Sequence, residues 1–312
     1  MTPPAAIEAK SLRKSYKNVE VLKDVSFSVE KGAVFALLGS NGAGKTTTIN
    51  ILTTLIKADG GTAAVAGYDI AARPAKVRNE ISLTGQFAAV DNRLTGRENL
   101  LLIGDLRHVA DSAQTGADLL HRFGLRDAAD RAVSTFSGGM RRRLDIAMSL
   151  IGSPTVIFLD EPTTGFDPEA RNEMWRTIRQ LAKGGTTVFL TTQYLEEADE
   201  LADDIAVLHD GRIVASGTAS ELKRLVPGGL IELTFHDGET RDAAAALLGK
   251  SHAHLEDEGT TLTITTDGSV GQVASVFVEL RDARIEPTEF SQKVATLDDV
   301  FLKITGTRSE DE

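Results

Sequence analysis

Gly39-Ser40-Asn41-Gly42-Ala43-Gly44-Lys45-Thr46 follows the pattern G-x-x-x-x-G-K-[ST]. The chemistry of that pattern is phosphate binding. Its glycines let backbone N–H groups turn toward a phosphate chain without Cβ clashes. Lys45 can reach the outer phosphates, and the Thr46 hydroxyl can ligate Mg²⁺. A second cluster is Val156-Ile157-Phe158-Leu159-Asp160-Glu161, an apolar run ending in two acids. Asp160 can hold Mg²⁺ directly or through water, and Glu161 can orient or deprotonate an attacking water. Taken alone, an Asp-Glu pair also fits a solvated strand end. Beside a phosphate loop, the chemical reading gains weight. The third cluster is Phe136-Ser137-Gly138-Gly139-Met140. Ser137 is placed as a helix N-cap, and the two glycines allow an anion to approach the helix start closely. A plain Ser-Gly-Gly cap would look the same, so the value of this segment lies in its company.

These residues need elements to position them. Residues 7–12, 19–22, 25–29 and 34–38 alternate or are apolar and read as strands. The phosphate loop follows the last of them and opens a helix expected to run to about residue 56. Helical patterns recur at 97–107, 114–123 and 140–151; in the last, Leu144, Ala147, Met148 and Ile151 share a face. A buried-type strand at 156–159 is followed by a helix at 169–182, a strand at 187–190, a helix at 195–201 and a strand–turn–strand around His209-Asp210-Gly211. Val226-Pro227-Gly228-Gly229 reads as a domain boundary. Beyond it comes strand 230–235, helix 241–248, strands 252–256 and 260–265, helix 270–280 and strand 285–290, a split βαβ, ferredoxin-like order. A last helix starts at Thr296, with Asp299 completing a capping box and Leu297, Val300, Phe301 and Ile304 forming an apolar stripe. The expected domains are therefore 1–226, with a helical subdomain at about 93–152, then 229–306 and a polar tail at 307–312.

Composition sets limits. Hydrophobic residues make up 41% of the 312, enough for a sizeable core. Cysteine is absent, which excludes disulfides, thiolate metal sites and a cysteine nucleophile, and fits a reducing compartment. The net charge of −11 disfavours nucleic acid and anionic lipid as direct partners. The N-terminus does not read as a signal peptide, and no apolar run approaches the ~20 residues of a membrane span. Any membrane role is expected to be peripheral, through a partner.

The three clusters, in the order 39–46, 136–140 and 156–161 along the chain, make residues 7–225 resemble the ATP-binding cassette ATPases. The resemblance implies an α/β fold: a RecA-like core of the P-loop NTPase type, an antiparallel β subdomain and a helical subdomain. It implies ATP and Mg²⁺ as ligands. Residues 39–46, with Thr47 beside them, resemble the Walker A loop, and 156–161 resemble Walker B with Glu161 as catalytic glutamate. Residues 136–140 resemble the signature, and Gly165-Phe166-Asp167-Pro168 the D-loop. Gln86, in Leu83-Thr84-Gly85-Gln86, resembles the glutamine that touches Mg²⁺ and senses the membrane partner. Tyr16 sits where such proteins stack an aromatic on adenine. The family mechanism pairs two cassettes head to tail, each ATP lying between one chain's phosphate loop and the other's Ser137-Gly138-Gly139.

There are departures. Met140 and Phe136 stand where glutamine and leucine are usual, and Gln193 stands where a switch histidine is usual. Gln193 can hydrogen-bond a γ-phosphate or water but carries no proton charge. It could also simply cap the next helix. Gln193, the run Met140-Arg141-Arg142-Arg143-Leu144-Asp145 and the segment Thr296–Leu302 resemble the daunorubicin/doxorubicin-resistance type of drug-export ATPase. That type implies a separate membrane permease, a location at the cytoplasmic face of the membrane, and export of a hydrophobic drug or antibiotic. The arginine run also reads as a solvated helix face. The last helix packs on its own small domain or contributes to a dimer contact. The competing function is a non-transport cassette protein acting on the ribosome or DNA. A GTPase or small-molecule kinase is disfavoured by the absence of an Asn-Lys-x-Asp motif.

Overall fold

The computed structural model describes residues 5–85, 89–226, 230–249, 255–266, 269–293 and 296–306. The chain divides into two compact units, 1–219 and 220–312. The division lies a few residues before the Val226-Pro227-Gly228-Gly229 segment, of which 227–229 fall outside the described residues.

The first unit begins with β1 (Ala5–Tyr16) and β2 (Val19–Glu30), then β3 (Val34–Leu38), α1 (Lys45–Leu52), β4 (Gly60–Val65) and β5 (Tyr68–Asp69). It continues with α2 (Pro74–Glu80), β6 (Ile81–Thr84), α3 (Gly96–Leu106), α4 (Ser112–Arg122), α5 (Gly138–Ser149) and β7 (Val156–Asp160). Then come α6 (Pro168–Lys183), β8 (Thr187–Thr192), α7 (Leu195–Leu201), β9 (Asp204–His209) and β10 (Arg212–Gly217). A six-stranded sheet runs β10-β9-β3-β8-β7-β6, parallel except where β10 turns back on β9. Every residue of β3, β7 and β8 is buried. Strands covered on both faces account for their unbroken apolar runs. An antiparallel sheet, β2-β1-β4-β5, packs on this core. Phe27 of β2 lies 5.3 Å from Phe35 and 5.7 Å from Phe189, ring to ring, and Phe189 lies 5.4 Å from Phe158. Helices α3, α4 and α5 follow one another within the 93–152 range. α3 is entered through a complete capping box: Glu98 N–H donates to Thr95 Oγ1 at 3.1 Å, and Thr95 N–H donates to Glu98 Oε2 at 2.7 Å.

Several expectations are corrected. Residues 19–22 and 25–29 form one strand; Asp24, at φ 74°, makes the irregularity that reads as a break. The helix after the phosphate loop ends at Leu52 rather than 56, where Thr54 turns to φ 65°. The residue pattern between 57 and 96 gives no local sign of β4, β5, α2 or β6.

A short helix, α8 (Ala219–Lys223), starts at the division. The second unit then contains β11 (Leu230–Thr234), α9 (Gly238–Leu248), β12 (Leu255–Glu258), β13 (Thr261–Thr265), α10 (Val270–Asp282), β14 (Glu289–Lys293) and α11 (Leu297–Thr305). Its sheet is antiparallel in the order β12-β13-β11-β14. Ile231, Leu233, Leu262 and Ile264 meet Ala244, Leu248, Val276 and Leu280 from the two helices in one small core. The last strand begins at Glu289 rather than 285, because Ile285 N–H still closes the end of α10 on Leu280 O and Pro287 has no N–H to give a ladder. α11 has the expected capping box between Thr296 and Asp299, and Leu297, Val300 and Phe301 are buried. The tail 307–312 lies outside the described residues.

Candidate functional site

The carboxyl ends of β3, β7 and β8 converge. Gly39, the first residue after β3, donates its N–H to Thr192 O at the end of β8, at 3.1 Å. A Cβ on Gly39 would lie 2.4 Å from Leu208 O, so no other residue fits there. Gly44 has φ 112°, and a Cβ would lie 2.6 Å from Leu22 Cδ2. It is the N-cap of α1, and no side chain caps that helix. The first-turn N–H groups are thus left to a ligand or water. Ser40, Asn41 and Gly42 are exposed at the loop tip, Ala43 is buried, and Thr47 is half-buried in α1.

Lys45 is only 4% exposed. A buried ammonium needs its donors satisfied. Its Nζ donates to Gly39 O at 2.7 Å and Ser40 O at 3.2 Å, and lies 3.2 Å from Glu161 Oε1. Asp160, at the end of β7, accepts from Thr191 Oγ1 at 2.6 Å and from Thr46 Oγ1 at 3.0 Å. Glu161 sits at φ 47°, a left-handed backbone rare for a side chain of its size. Such strain costs about 1–3 kcal/mol and persists only where the surroundings over-determine it. Here Glu161 N–H donates to both Thr191 O at 3.1 Å and Thr191 Oγ1 at 3.2 Å, and Thr164 Oγ1 donates to Glu161 Oε2 at 3.3 Å. A cation, two carboxylates and a hydroxyl therefore meet beside uncapped N–H groups.

Thr46 and Asp160 offer hard oxygen donors suited to Mg²⁺, which keeps few protein ligands and takes the rest from phosphates and water. No group of three or more His, Cys, Asp or Glu that could cage a metal occurs among the described residues.

The start of α5 borders a different cleft from these groups. Ser137 and Gly138 are exposed, and Met140 N–H donates to Ser137 Oγ at 3.2 Å, as the N-cap reading requires. Asp167 caps α6 by accepting from Ala170 N–H at 2.8 Å. Ser137, Gly138, Gly139 and Asp167 border a cleft of about 550 Å³, and no residue of 39–46 lines it among the described residues. Tyr16 ends β1 and is 46% exposed, with Lys14 Nζ 5.5 Å from its ring centre. Gln193 is half-buried directly after β8. It does not cap α7, whose N-cap is Tyr194 and which has no side-chain cap. Gln86 lies outside the described residues.

The arginine run departs from a solvated face. Arg142 is 5% exposed and Asp145, on the next turn of α5, is 5% exposed. Burial pushes the Asp145 carboxyl up, against the pull of Ala89 N–H and Arg142. Thr191 and Glu197 are further residues that sequence reasoning passed over. Glu197 is wholly buried and accepts from Thr163 Oγ1 at 2.8 Å and Trp175 Nε1 at 3.2 Å. The only signal for Thr191 was a Thr-Thr pair after an apolar strand, and for Asp145 an i, i+3 spacing from Arg142.

Comparison with known proteins gives the family. Residues 22–164 match the ABC transporter family model. The chain is 45% identical to the daunorubicin/doxorubicin resistance ATP-binding protein of Streptomyces peucetius, over 99% of this chain and 95% of that one. It is 42% identical to the doxorubicin resistance ATP-binding protein of Mycobacterium tuberculosis, over 98% and 95%. A solved ATP-binding subunit of an ABC transporter superposes with a TM-score of 0.62 at 29% identity, covering 70% of this chain and 92% of that one. Identity of 45% and 42% with resistance ATP-binding proteins along nearly the whole chain, on an α/β core that carries the 39–46 loop, the Asp160-Glu161 strand end and the Ser137-Gly138-Gly139 helix start, places this protein in the ABC transporter family, among its ATP-binding and ATP-hydrolysing subunits.

Proposed function

We propose that the chain powers an exporter from the cytoplasmic face of the membrane, bound to a separate membrane-spanning permease and pairing head to tail with a second cassette when ATP binds. No helix among the described residues is long and apolar enough to cross a membrane. The substrate proposed is a hydrophobic drug or antibiotic, by likeness to the resistance proteins. The order of strands and helices in the second unit, with its sheet order β12-β13-β11-β14, supports reading that unit as ferredoxin-like. Domains of 1–226 and 229–306 are proposed accordingly.

Within the site, residues 39–47 hold the phosphates, Lys45 the outer ones. Thr46, Asp160 and Gln86 hold Mg²⁺, which when bound neutralises charge on the β- and γ-phosphates. Tyr16 stacks on adenine. Glu161 orients the attacking water and accepts its proton, and Gln193 hydrogen-bonds the γ-phosphate or that water. Ser137, Gly138, Gly139 and Asp167 serve the nucleotide of the partner chain.

The observation that carries the reading is the pairing of Lys45 with Glu161 at 3.2 Å, beside Asp160 and Thr46. One cation faces both the proposed base and the place where a phosphate chain lies against the loop. Steady-state ATP hydrolysis by wild type, Glu161→Gln and Lys45→Ala tests it. Glu161→Gln is expected to keep ATP binding and lose about 10²–10⁴-fold in turnover, the usual worth of a positioned base. Lys45→Ala is expected to lose tight binding itself. Unchanged turnover in Glu161→Gln removes Glu161 from the role of base.

A further inference from the structure

Arg142 is a buried cation with a partner for each edge of its guanidinium. Nε donates to Pro162 O at 3.3 Å, Nη1 to Gly85 O at 2.5 Å and to Asp145 Oδ2 at 3.2 Å, and Nη2 to Asp160 O at 3.4 Å. Asp145 in turn accepts from Ala89 N–H at 3.0 Å. Four places are held by one planar group and its counter-ion. They are the end of β7 at Asp160, the turn after it at Pro162, and the residues on either side of 86–88. Asp160 itself accepts from Thr46 of the phosphate loop through its side chain.

A guanidinium is rigid and its donors have fixed directions. Buried, it keeps its stability only while every donor is met. A displacement at Asp160 therefore cannot be absorbed locally. It must be followed by Gly85, by α5, or by both. Asp145 carries the same constraint on to Ala89.

We propose that Arg142 and Asp145 are positioning residues that pass nucleotide occupancy at Thr46 and Asp160 to Gly85, Ala89 and the start of α5, so that the phosphate loop and Ser137-Gly138-Gly139 respond together. The proposal rests on the reading of 39–46 as the ATP site. Neither side chain touches the nucleotide. Their effect is on where the touching residues sit.

The test is hydrogen–deuterium exchange on the full chain in a Glu161→Gln background, which keeps added MgATP intact. Exchange is read in peptides covering 39–46 and in peptides covering Ala89 and Asp91. The variant is Arg142→Met with Asp145→Leu. Removing both members of a buried pair is tolerated far better than removing one, because no lone charge is left behind. In the parent, MgATP is expected to slow exchange in both regions. In the double variant, protection of 39–46 is expected to persist while the response at Ala89 and Asp91 is lost. A merely structural pair would leave that response intact once the variant folds. An equal response in parent and variant overturns the proposal, as does a parent that protects 39–46 without any response at Ala89. A parent with no protection of 39–46 instead overturns the ATP-site reading on which the proposal stands. Should the double variant not fold, Arg142→Lys carries the same expectation, since one ammonium cannot span three carbonyls and a carboxylate.

Discussion

Glu197 is a carboxyl that the fold withdraws from water. Burial raises its pKa, and hydrogen bonds from Thr192, Thr163 and Trp175 offset only part of that. The consequence for stability has a definite sign. Below the ordinary glutamate value both folded and unfolded chains carry the proton, and the contribution is fully present. As pH rises, the unfolded chain releases its proton first, so the folded state loses ground until its own, higher value is passed. Glu197→Gln cannot titrate and keeps an oxygen to accept from Thr163 and Trp175. Its thermal midpoint is expected to exceed that of wild type at neutral pH, with the gap closing as pH falls toward about 4, the ordinary glutamate value. Melting curves across that window check this, and a gap independent of pH would remove Glu197 from the account. Gln193 is a different case, because it is neutral throughout. Gln193→His places a group with an ordinary pKa of about 6.5 at the same position. ATP turnover of that variant is expected to gain a dependence on pH between about 5.5 and 7.5 that wild type lacks.

At the scale of elements, two helices start in the same way for different reasons. Thr95 caps α3 with a full box, and Ser137 caps α5. Replacing either by alanine costs about 1 kcal/mol, or roughly 2–4 °C in a unit of this size. Thr95→Ala is expected to stop there, with ATP turnover unchanged in the folded fraction. Ser137→Ala is expected to lower turnover as well, if its helix start serves the partner's nucleotide as proposed above. Equal turnover in the two variants would reduce Ser137 to a cap. The contrast also explains what could be read from residues. The phosphate loop, the Asp160-Glu161 strand end and the caps at Ser137 and Thr296 are local patterns, set by backbone geometry within a few residues, and they stand where expected. Arg142 was open to misreading because residue type states a charge but not which face of α5 meets β7. β4 was missed because Gly-Gly-Thr-Ala-Ala-Val has little strand character of its own. Its pairing comes from β1, across Ile7 to Val65 and Ala9 to Ala63, a contact that local periodicity does not contain. Gly39 shows the same limit in reverse. Its pattern was plain, but the reason for it, the close approach of Leu208 O, comes from a strand far along the chain.

For the molecule as a whole, the proposed head-to-tail pair would bring together two surfaces, the uncapped start of α1 and the cleft at the start of α5. The loop side ends at Lys45 and Glu161, and the cleft at Ser137 is lined by none of 39–46 among the described residues. A two-fold pair, with each surface meeting the other's complement, satisfies both at once and closes on itself. In a Glu161→Gln background with MgATP, the 33.4 kDa chain is expected to elute at about twice its mass. Adding Ser137→Arg is expected to keep ATP binding but leave the chain a monomer, since a long charged side chain then fills the cleft. Complementation goes further. Lys45→Ala lacks one surface and Ser137→Arg lacks the other, so neither alone should turn over ATP. Mixed in equal amounts, only heterodimers hold an intact composite site, one of two in each, so turnover reaches at most about half that of wild type. Recovery would place the loop of one chain against the helix start of the other. Complete absence of recovery, with heterodimers present by cross-linking, would mean that both sites of a pair must hold nucleotide before either can fire.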